Sequence, residues 1–367
     1  MEKQTASLHL VSAFLAMEPT VRVMSHARLL GGGSVTVDVQ RFIWDHCISK
    51  AIGKCHAPYL KNFLKKLILE IESNQDDVLD ELYNFTDENA VKGNVRAFKY
   101  IYFLFPDDAS CEDAMVRQLV VPLHCSLNML QGDTGYIWPA SPFLSEFILS
   151  FPDMFSSKTC FEVSFGSGVG LVGVCLSHVK ASKVILSDGD LSTSSNMKLN
   201  LKMNQVSTED DEPVTLEYLD SIRIRTEIDI ISSPQVKCLH LPWEYASESV
   251  LQGLKPDIIL GVDVIYDPLC LPHLVRVLSI LLDKRKSIGS SRDYSRGCDS
   301  YDVVAACDTY ISSVIRNANT FDCFLASVDK ANLAITDLTR TLQPASLLPY
   351  MQSYDRLSIR LFKLSSK

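Results

Sequence analysis

Cys160-Phe161-Glu162-Val163-Ser164-Phe165-Gly166-Ser167-Gly168-Val169-Gly170-Leu171-Val172-Gly173 is an apolar run, a cluster of glycines and a second apolar run. It reads as a buried strand over 159–165 that passes through a tight turn into a helix over 171–178. Glycines suit such a turn because the backbone must take unusual dihedrals and a ligand must approach it closely. The start of the helix offers unpaired N–H groups and positive potential. Two frames fit. Gly168, Gly170 and Gly173 satisfy the dinucleotide pattern G-x-G-x-x-G, while Gly166, Gly168 and Gly170 satisfy G-x-G-x-G. Asp188 ends the next strand, 183–187, where a carboxylate can accept both ribose hydroxyls in either case. The turn indicates an adenosine cofactor and leaves its kind open.

A later strand narrows the choice. In Asp257-Ile258-Ile259-Leu260-Gly261-Val262-Asp263-Val264-Ile265-Tyr266-Asp267-Pro268, Asp263 and Tyr266 fall just past the carboxyl end of a strand over 257–262. Open α/β sheets hold their ligands there. Methyl transfer to an amine is an in-line displacement from a sulfonium, so nitrogen, methyl and sulfur must be held collinear. An acid and an aromatic hydroxyl can bond the incoming amine, and an aromatic face stabilises nearby positive charge. A dehydrogenase would need a proton donor for a carbonyl, and no His or Lys is placed for it. The structural alternatives are a helix cap for Asp263 and a packed rim residue for Tyr266. Trp243 follows the candidate strand 236–241, where an indole can stack on adenine. Trp138 precedes a helix over 142–151.

Outward from this centre, strands and helices alternate from about Gly132 onward: strands at 159–165, 183–187, 236–241, 257–262 and 303–307, and a helix at 196–204. Alternation of this kind means a parallel, doubly wound sheet. Residues 356–364 are expected to close it as a last strand. Segments 207–213 and 287–300, rich in polar residues, read as loops. The first third is mainly helical. From Pro58, Leu60, Phe63, Leu64, Leu67, Ile68 and Ile71 make one apolar stripe. A short amphipathic segment, 78–83, follows. Leu8, Val11 and Leu15 recur at helical spacing before Pro19, the pattern of a surface helix. Residues 100–105 and 118–123 suit strands, with no clean periodicity between them.

The bulk numbers exclude some classes. With 44 acidic against 35 basic residues, the formal charge is −9, which gives no footing for a phosphate-driven nucleic-acid surface. The 11 cysteines are scattered singly without Cys-x-x-Cys pairs, and the histidines are dispersed. No metal site is expected, and single cysteines suit a reducing compartment, the cytoplasm. No run approaches the ~20 apolar residues that span a bilayer, so no membrane role is expected.

The set Gly132-Asp133-Thr134-Gly135 with Trp138, the 166–170 turn, Ser187-Asp188, Trp243 and Asp263-x-x-Tyr266 resembles the family 16 protein-lysine methyltransferases. The 61–71 helix followed by Leu79-Asp80-Glu81-Leu82-Tyr83 is similar to the front end of members that act on translation elongation factor 2. The resemblance implies an α/β, Rossmann-like class I methyltransferase fold with a doubly wound seven-stranded sheet. It divides the chain into a mainly helical substrate-recognition region, 1–130, and a methyltransferase domain, 131–367. It implies S-adenosylmethionine as donor and a lysine of elongation factor 2 as acceptor, with the enzyme a monomer. By position, Trp138, Glu162, Gly166, Ser167, Gly168, Gly170, Asp188, Trp243 and Val262 would contact the cofactor, and Asp263 and Tyr266 the target lysine.

Three places depart from the family pattern. Glu162 stands four residues before Gly166 rather than two, as though Ser164-Phe165 were inserted. Strand side chains alternate with period two, so Glu162 keeps its face but moves about 7 Å along the strand. Either a bulge restores it or the cofactor loses an anchor. Residues 95–130 match the family poorly, and Pro242 stands where an acid often precedes the tryptophan. Three other functions stay open on the sequence. They are the same chemistry on another protein or a small molecule, a non-catalytic binding module with a weakened cofactor site, and, ranked last, a nicotinamide enzyme.

Overall fold

The computed structural model describes residues 2–85, 96–106, 117–126, 137–164, 168–209, 235–283 and 307–367. The chain divides into two units. The first is Met1–Ile137 with Ser346–Asp355, the second Trp138–Ala345 with Arg356–Lys367.

In the first unit the helices are α1 (Glu2–Leu15), α2 (Thr20–Leu30), α3 (Val37–Ile43), α4 (Ser49–Ala51), α5 (Ala57–Ser73) and α6 (Asp80–Tyr83). α5 carries Pro58 in its first turn and buries Leu60, Phe63, Leu64, Leu67 and Ile71, five of the six residues of the stripe read from the sequence, with Ile68 half-buried. α1 differs from expectation. It is a core helix rather than a surface one, since residues 10–16 are buried without a break and Phe14 meets Phe63 edge to face at 4.9 Å. That stretch is apolar nearly all round, so it has no solvated face to offer.

Strands β1 (Arg96–Leu104) and β2 (Gln118–Ser126) pair antiparallel, from Arg96 opposite Ser126 to Leu104 opposite Gln118. Residues 100–104 of β1 are all buried, so no period-two signal reaches the sequence. The segment Ser346–Asp355 is fastened by Glu18, which is 1% exposed. One carboxylate oxygen accepts the Gln352 and Ser353 N–H groups at 2.7 and 2.8 Å, and the other accepts Ser353 Oγ–H at 2.6 Å. Beside it the hydroxyl of the fully buried Tyr350 accepts the Tyr102 N–H at 2.7 Å.

The second unit holds the sheet. Its strands are β3 (Thr159–Val163), β4 (Lys183–Asp188), β5 (Gln235–His240), β6 (Ile258–Val262), β7 (Asp308–Val314), β8 (Leu333–Asp337) and β9 (Ile359–Ser366). Its helices are α7 (Ala140–Ser150), α8 (Pro152–Phe155), α9 (Leu171–His178), α10 (Leu191–Met203), α11 (Glu248–Leu254), α12 (Leu271–Leu282) and α13 (Ala318–Lys330). The order across the sheet is β5-β4-β3-β6-β7-β9-β8. β3 to β7 are parallel, and β9 is antiparallel to both of its neighbours. This is the expected doubly wound, seven-stranded α/β sheet of the class I methyltransferases.

Two strand positions are corrected. The strand expected over 303–307 is β7, which begins only at Asp308; residues 303–306 lie outside the described residues. Thr309, Ser312 and Ser313 give β7 a polar look, yet each is fully buried, with small hydroxyls filling a sheet covered on both faces. β9 does come last in the chain but inserts between β7 and β8, and β8 takes the edge. The loop expected over 287–300 lies outside the described residues. Among those residues no helix is long and apolar enough to cross a membrane, and no group of three or more side chains is arranged to hold a metal.

The chain leaves the middle of the sheet in both directions, β3 to β5 one way and β6 to β7 the other. The carboxyl ends of β3 and β6, with Val163 opposite Gly261, therefore flank the crevice where such sheets bind ligands.

Glu18 is the most concentrated polar tie in the first unit. Glu18→Gln keeps its shape but weakens three charge-assisted bonds, and it is expected to lower stability by about 2 kcal/mol. Urea unfolding of the full chain measures this.

Candidate active site

The described half of the glycine turn is built for glycine. Gly168 and Gly170 have φ of 64° and 74°, a region that side chains enter only with strain. Gly170 stands immediately before α9, and a Cβ on it would lie 2.9 Å from Met197 Cγ of α10. The Val169 carbonyl accepts a 2.9 Å bond from Asn200 Nδ2, so α10 braces the turn. At Gly173 a Cβ would come within 2.5 Å of Leu186 Cδ1. The third glycine of the dinucleotide frame therefore serves close packing of α9 on β4, and it does not discriminate between the two frames. Gly166 and Ser167 lie outside the described residues, as do Phe165 and 132–136.

Two acids stand at the ends of β3 and β4. Glu162 faces Leu186 on one side of the ladder and Leu260 on the other. Pairing is regular through Val163, so the described strand contains no bulge. Glu162 is 1% exposed, and its Oε2 has no hydrogen-bond partner among the described residues. Burial, reinforced by the neighbouring Asp188, pushes its carboxyl up to about 8. Asp188 is equally buried; its Oδ1 accepts the Asp190 N–H at 2.8 Å, and its carbonyl accepts the Leu241 N–H at 2.8 Å.

Asp263 follows β6 in a left-handed conformation, φ 49°, which few residues other than glycine adopt. Its N–H donates to the Ser312 carbonyl at 2.8 Å. Its Oδ2 accepts the Ala140 N–H at the start of α7 at 3.1 Å. Its Oδ1 accepts the Val314 N–H at 3.0 Å and pairs with Arg316 Nη1 at 3.3 Å. The Arg316 guanidinium also lies 5.7 Å from the centre of the half-buried Trp138 ring. Asp263 thus does serve partly as a helix cap, but for α7, a helix distant in sequence.

Val262 is buried and pairs with Ser312. Tyr266 is 38% exposed; burial of its hydroxyl, then contact with Cys270, with smaller effects of Asp267 and Glu244, raises it well above the ordinary tyrosine range. It is a neutral phenol at any physiological pH. Trp243 is placed differently from the adenine-stacking expectation. Its indole is fully buried among Phe161, Ile185, Leu241 and Ile265, and no face of it meets solvent. The ring acts as core filling, which is the commoner fate of a lone tryptophan.

The fold thus brings Glu162, Gly168, Gly170, Asp188, Val262, Asp263 and Tyr266 to the carboxyl edge of one sheet. Sequence reading missed Arg316, Ser312 and Asn200. Arg316 lies two residues past the end of β7, the strand placed too early by sequence. Asn200 shows itself only through the helix phase of α10, which turns it towards Val169.

A family model described as lysine methyltransferase matches residues 121–231. The chain is 25% identical over 307 residues to the protein-lysine N-methyltransferase EEF2KMT of Homo sapiens, covering 83% of this chain and 79% of that protein. The matched family model and this relative are both described as lysine methyltransferases. It is also 31% identical over 233 residues to an uncharacterised protein of Dictyostelium discoideum. That match covers 62% of this chain and 57% of the relative, so the chain spans little more than half of that relative's length. A third relative, the protein-lysine N-methyltransferase EFM3 of Chaetomium thermophilum, is 24% identical over 217 residues, 58% of this chain and 52% of that protein.

The raised carboxyl of Glu162 sets a pH dependence. Its protonated form is favoured in the folded protein, so its contribution is complete below the ordinary value of 4.5 and is lost as pH rises through about 8. Glu162→Gln mimics the neutral form. Its melting temperature is expected to match the wild type near pH 5 and to exceed it at pH 8.5. Parallel melting curves across that range would show that Glu162 ionises normally.

Proposed function

We propose that this methyltransferase transfers a methyl group from S-adenosylmethionine to a lysine of translation elongation factor 2. The observation that carries the reading is the buried Glu162 Oε2, without a hydrogen-bond partner among the described residues, at the switch point beside Asp188 and a turn whose Gly168 and Gly170 take the left-handed backbone conformation. A buried acceptor without a donor has an unmet demand for a cationic or N–H group, and the donor brings both an amine and a sulfonium. Glu162 would hold the amine end. Asp188 would hold the ribose hydroxyls, with the backbone of Gly166, Ser167, Gly168 and Gly170 against the bound molecule and Val262 and Trp138 at its sides. Because the Trp243 ring is enclosed, it would support this wall from within the core. The cofactor supplies an electrophilic methyl group on sulfur.

On the acceptor side, Asp263 and Tyr266 would face the lysine. Asp263 fixes the lip by joining α7 and β7 and by holding Arg316. The neutral Tyr266 oxygen can accept a bond from the amine and so aim the nitrogen lone pair. It is no proton acceptor at neutral pH. The lysine ammonium, with an ordinary pKa of about 10.4, must shed its proton to solvent before attack. The choice of acceptor is supported by the family resemblance of the front end and by the likeness to EEF2KMT over 83% of this chain. A cytoplasmic location is in line with the nine free cysteines among the described residues. The chain is taken to act as a monomer.

Calorimetric titration with S-adenosylmethionine, with NAD as control, is expected to give micromolar binding of the methyl donor alone. No binding of either would favour a non-catalytic module. Tyr266→Phe is expected to lower the rate of methyl transfer to purified elongation factor 2 by ~10²-fold with cofactor affinity unchanged. An equal loss of cofactor binding would remove Tyr266 from the acceptor side.

A further inference from the structure

Past the carboxyl ends of β5 and β6 the chain exposes large apolar side chains beside acids. Tyr245, in the short turn Trp243–Tyr245, is 85% exposed, and Leu269, in the loop before α12, is 81% exposed. Glu244 and Asp267 both act electrostatically on Tyr266 and on Cys270, which puts the two segments together around the tyrosine. The arrangement is rigid. Arg276 of α12 donates to the carbonyls of Trp243 and Ala246 at 2.7 and 2.9 Å, and Asp267 Oδ1 accepts the Leu269 N–H at 2.9 Å. Trp243, Ile265 and Leu271 share one buried cluster beneath. Nothing in the packing of this unit requires Tyr245 or Leu269 to face water, and exposed apolar groups set on a fixed support mark interaction surfaces.

The sign of the charge identifies the partner. Glu244 is exposed, and no cation pairs with it among the described residues. Arg276, the basic residue at this lip, is turned onto backbone carbonyls; the half-buried His273 follows two residues into α12. Two acids therefore flank Tyr266 with little opposing charge.

We propose that Tyr245, Leu269, Glu244 and Asp267 form the docking surface for a basic segment of the protein substrate, one that sets apolar side chains on Tyr245 and Leu269 and cations against the two acids. The inference rests on the lysine-methylating reading of the same edge and extends it to the sequence around the target lysine. Charge at such a rim acts mainly on encounter and register, and the apolar anchors act on residence. Glu244 and Tyr245 thus select which lysine reaches Tyr266 and take no part in the transfer.

The test uses the full chain and a fluorescent 15-residue peptide with a central lysine flanked by arginine and leucine, together with a counterpart carrying glutamate for arginine. Fluorescence anisotropy is expected to show binding of the basic peptide only. Glu244→Lys and the double variant Tyr245→Ser, Leu269→Ser should each weaken it about tenfold, with unchanged melting temperatures. No binding of the basic peptide, equal binding of the acidic one, or wild-type affinity in both variants would overturn the docking surface. Methylation of elongation factor 2 is measured separately. There the variants should raise KM and leave the maximal rate intact, whereas absence of transfer by the wild type would count against the proposed function while the peptide titration still decides the surface.

Discussion

Much of the sheet's carboxyl edge depends on one carboxylate. Asp263 sits in a strained backbone conformation that costs about 1–3 kcal/mol. Its two oxygens accept N–H groups from α7 and from the end of β7 and pair with Arg316. Hydrogen bonds to a charged group contribute about 1.5–3 kcal/mol each, so the bonds outweigh the strain. The result is that the start of α7, the turn after β6 and the end of β7 are held in one fixed relation. An alanine at this position would keep the strain and lose the bonds.

The second constraint is electrostatic. Glu162 and Asp188 are both about 1% exposed on adjacent strands, and like charges that close in a low dielectric do not both ionise easily. The fold resolves this by leaving Glu162 largely protonated near neutral pH and giving Asp188 an N–H from its own turn. A site poised this way has a place for positive charge before any ligand arrives. That is a feature expected of a functional edge rather than of a core optimised for stability.

Around these acids, the rigid and apolar parts keep to separate tasks. Gly173 lets α9 approach β4 and Gly170 lets α10 approach the turn closely, and Trp243 fills the core so that the turn behind it can present Tyr245 outward. The carboxyl edge of the sheet and the exposed lip are thus carried by the same buried cluster.

The primary sequence by itself determined the sheet's central part. The 159–173 stretch shows a strand, a glycine turn and a helix because local dihedral demands and apolar runs are local properties. The same holds for α5, whose stripe matches its buried face except at Ile68, which is half-buried. Tertiary structure decided the rest. β7 escaped because buried serines and threonine look polar until both faces of the sheet are covered, and with it Arg316 was lost, since its role is defined by Asp263 more than fifty residues away. β9 could be recognised as a strand, yet its insertion between β7 and β8 depends on pairing partners that no local pattern encodes. Trp243 has the same identity in either role; only the closing of Phe161, Ile185 and Ile265 around it makes the ring core instead of a ligand platform.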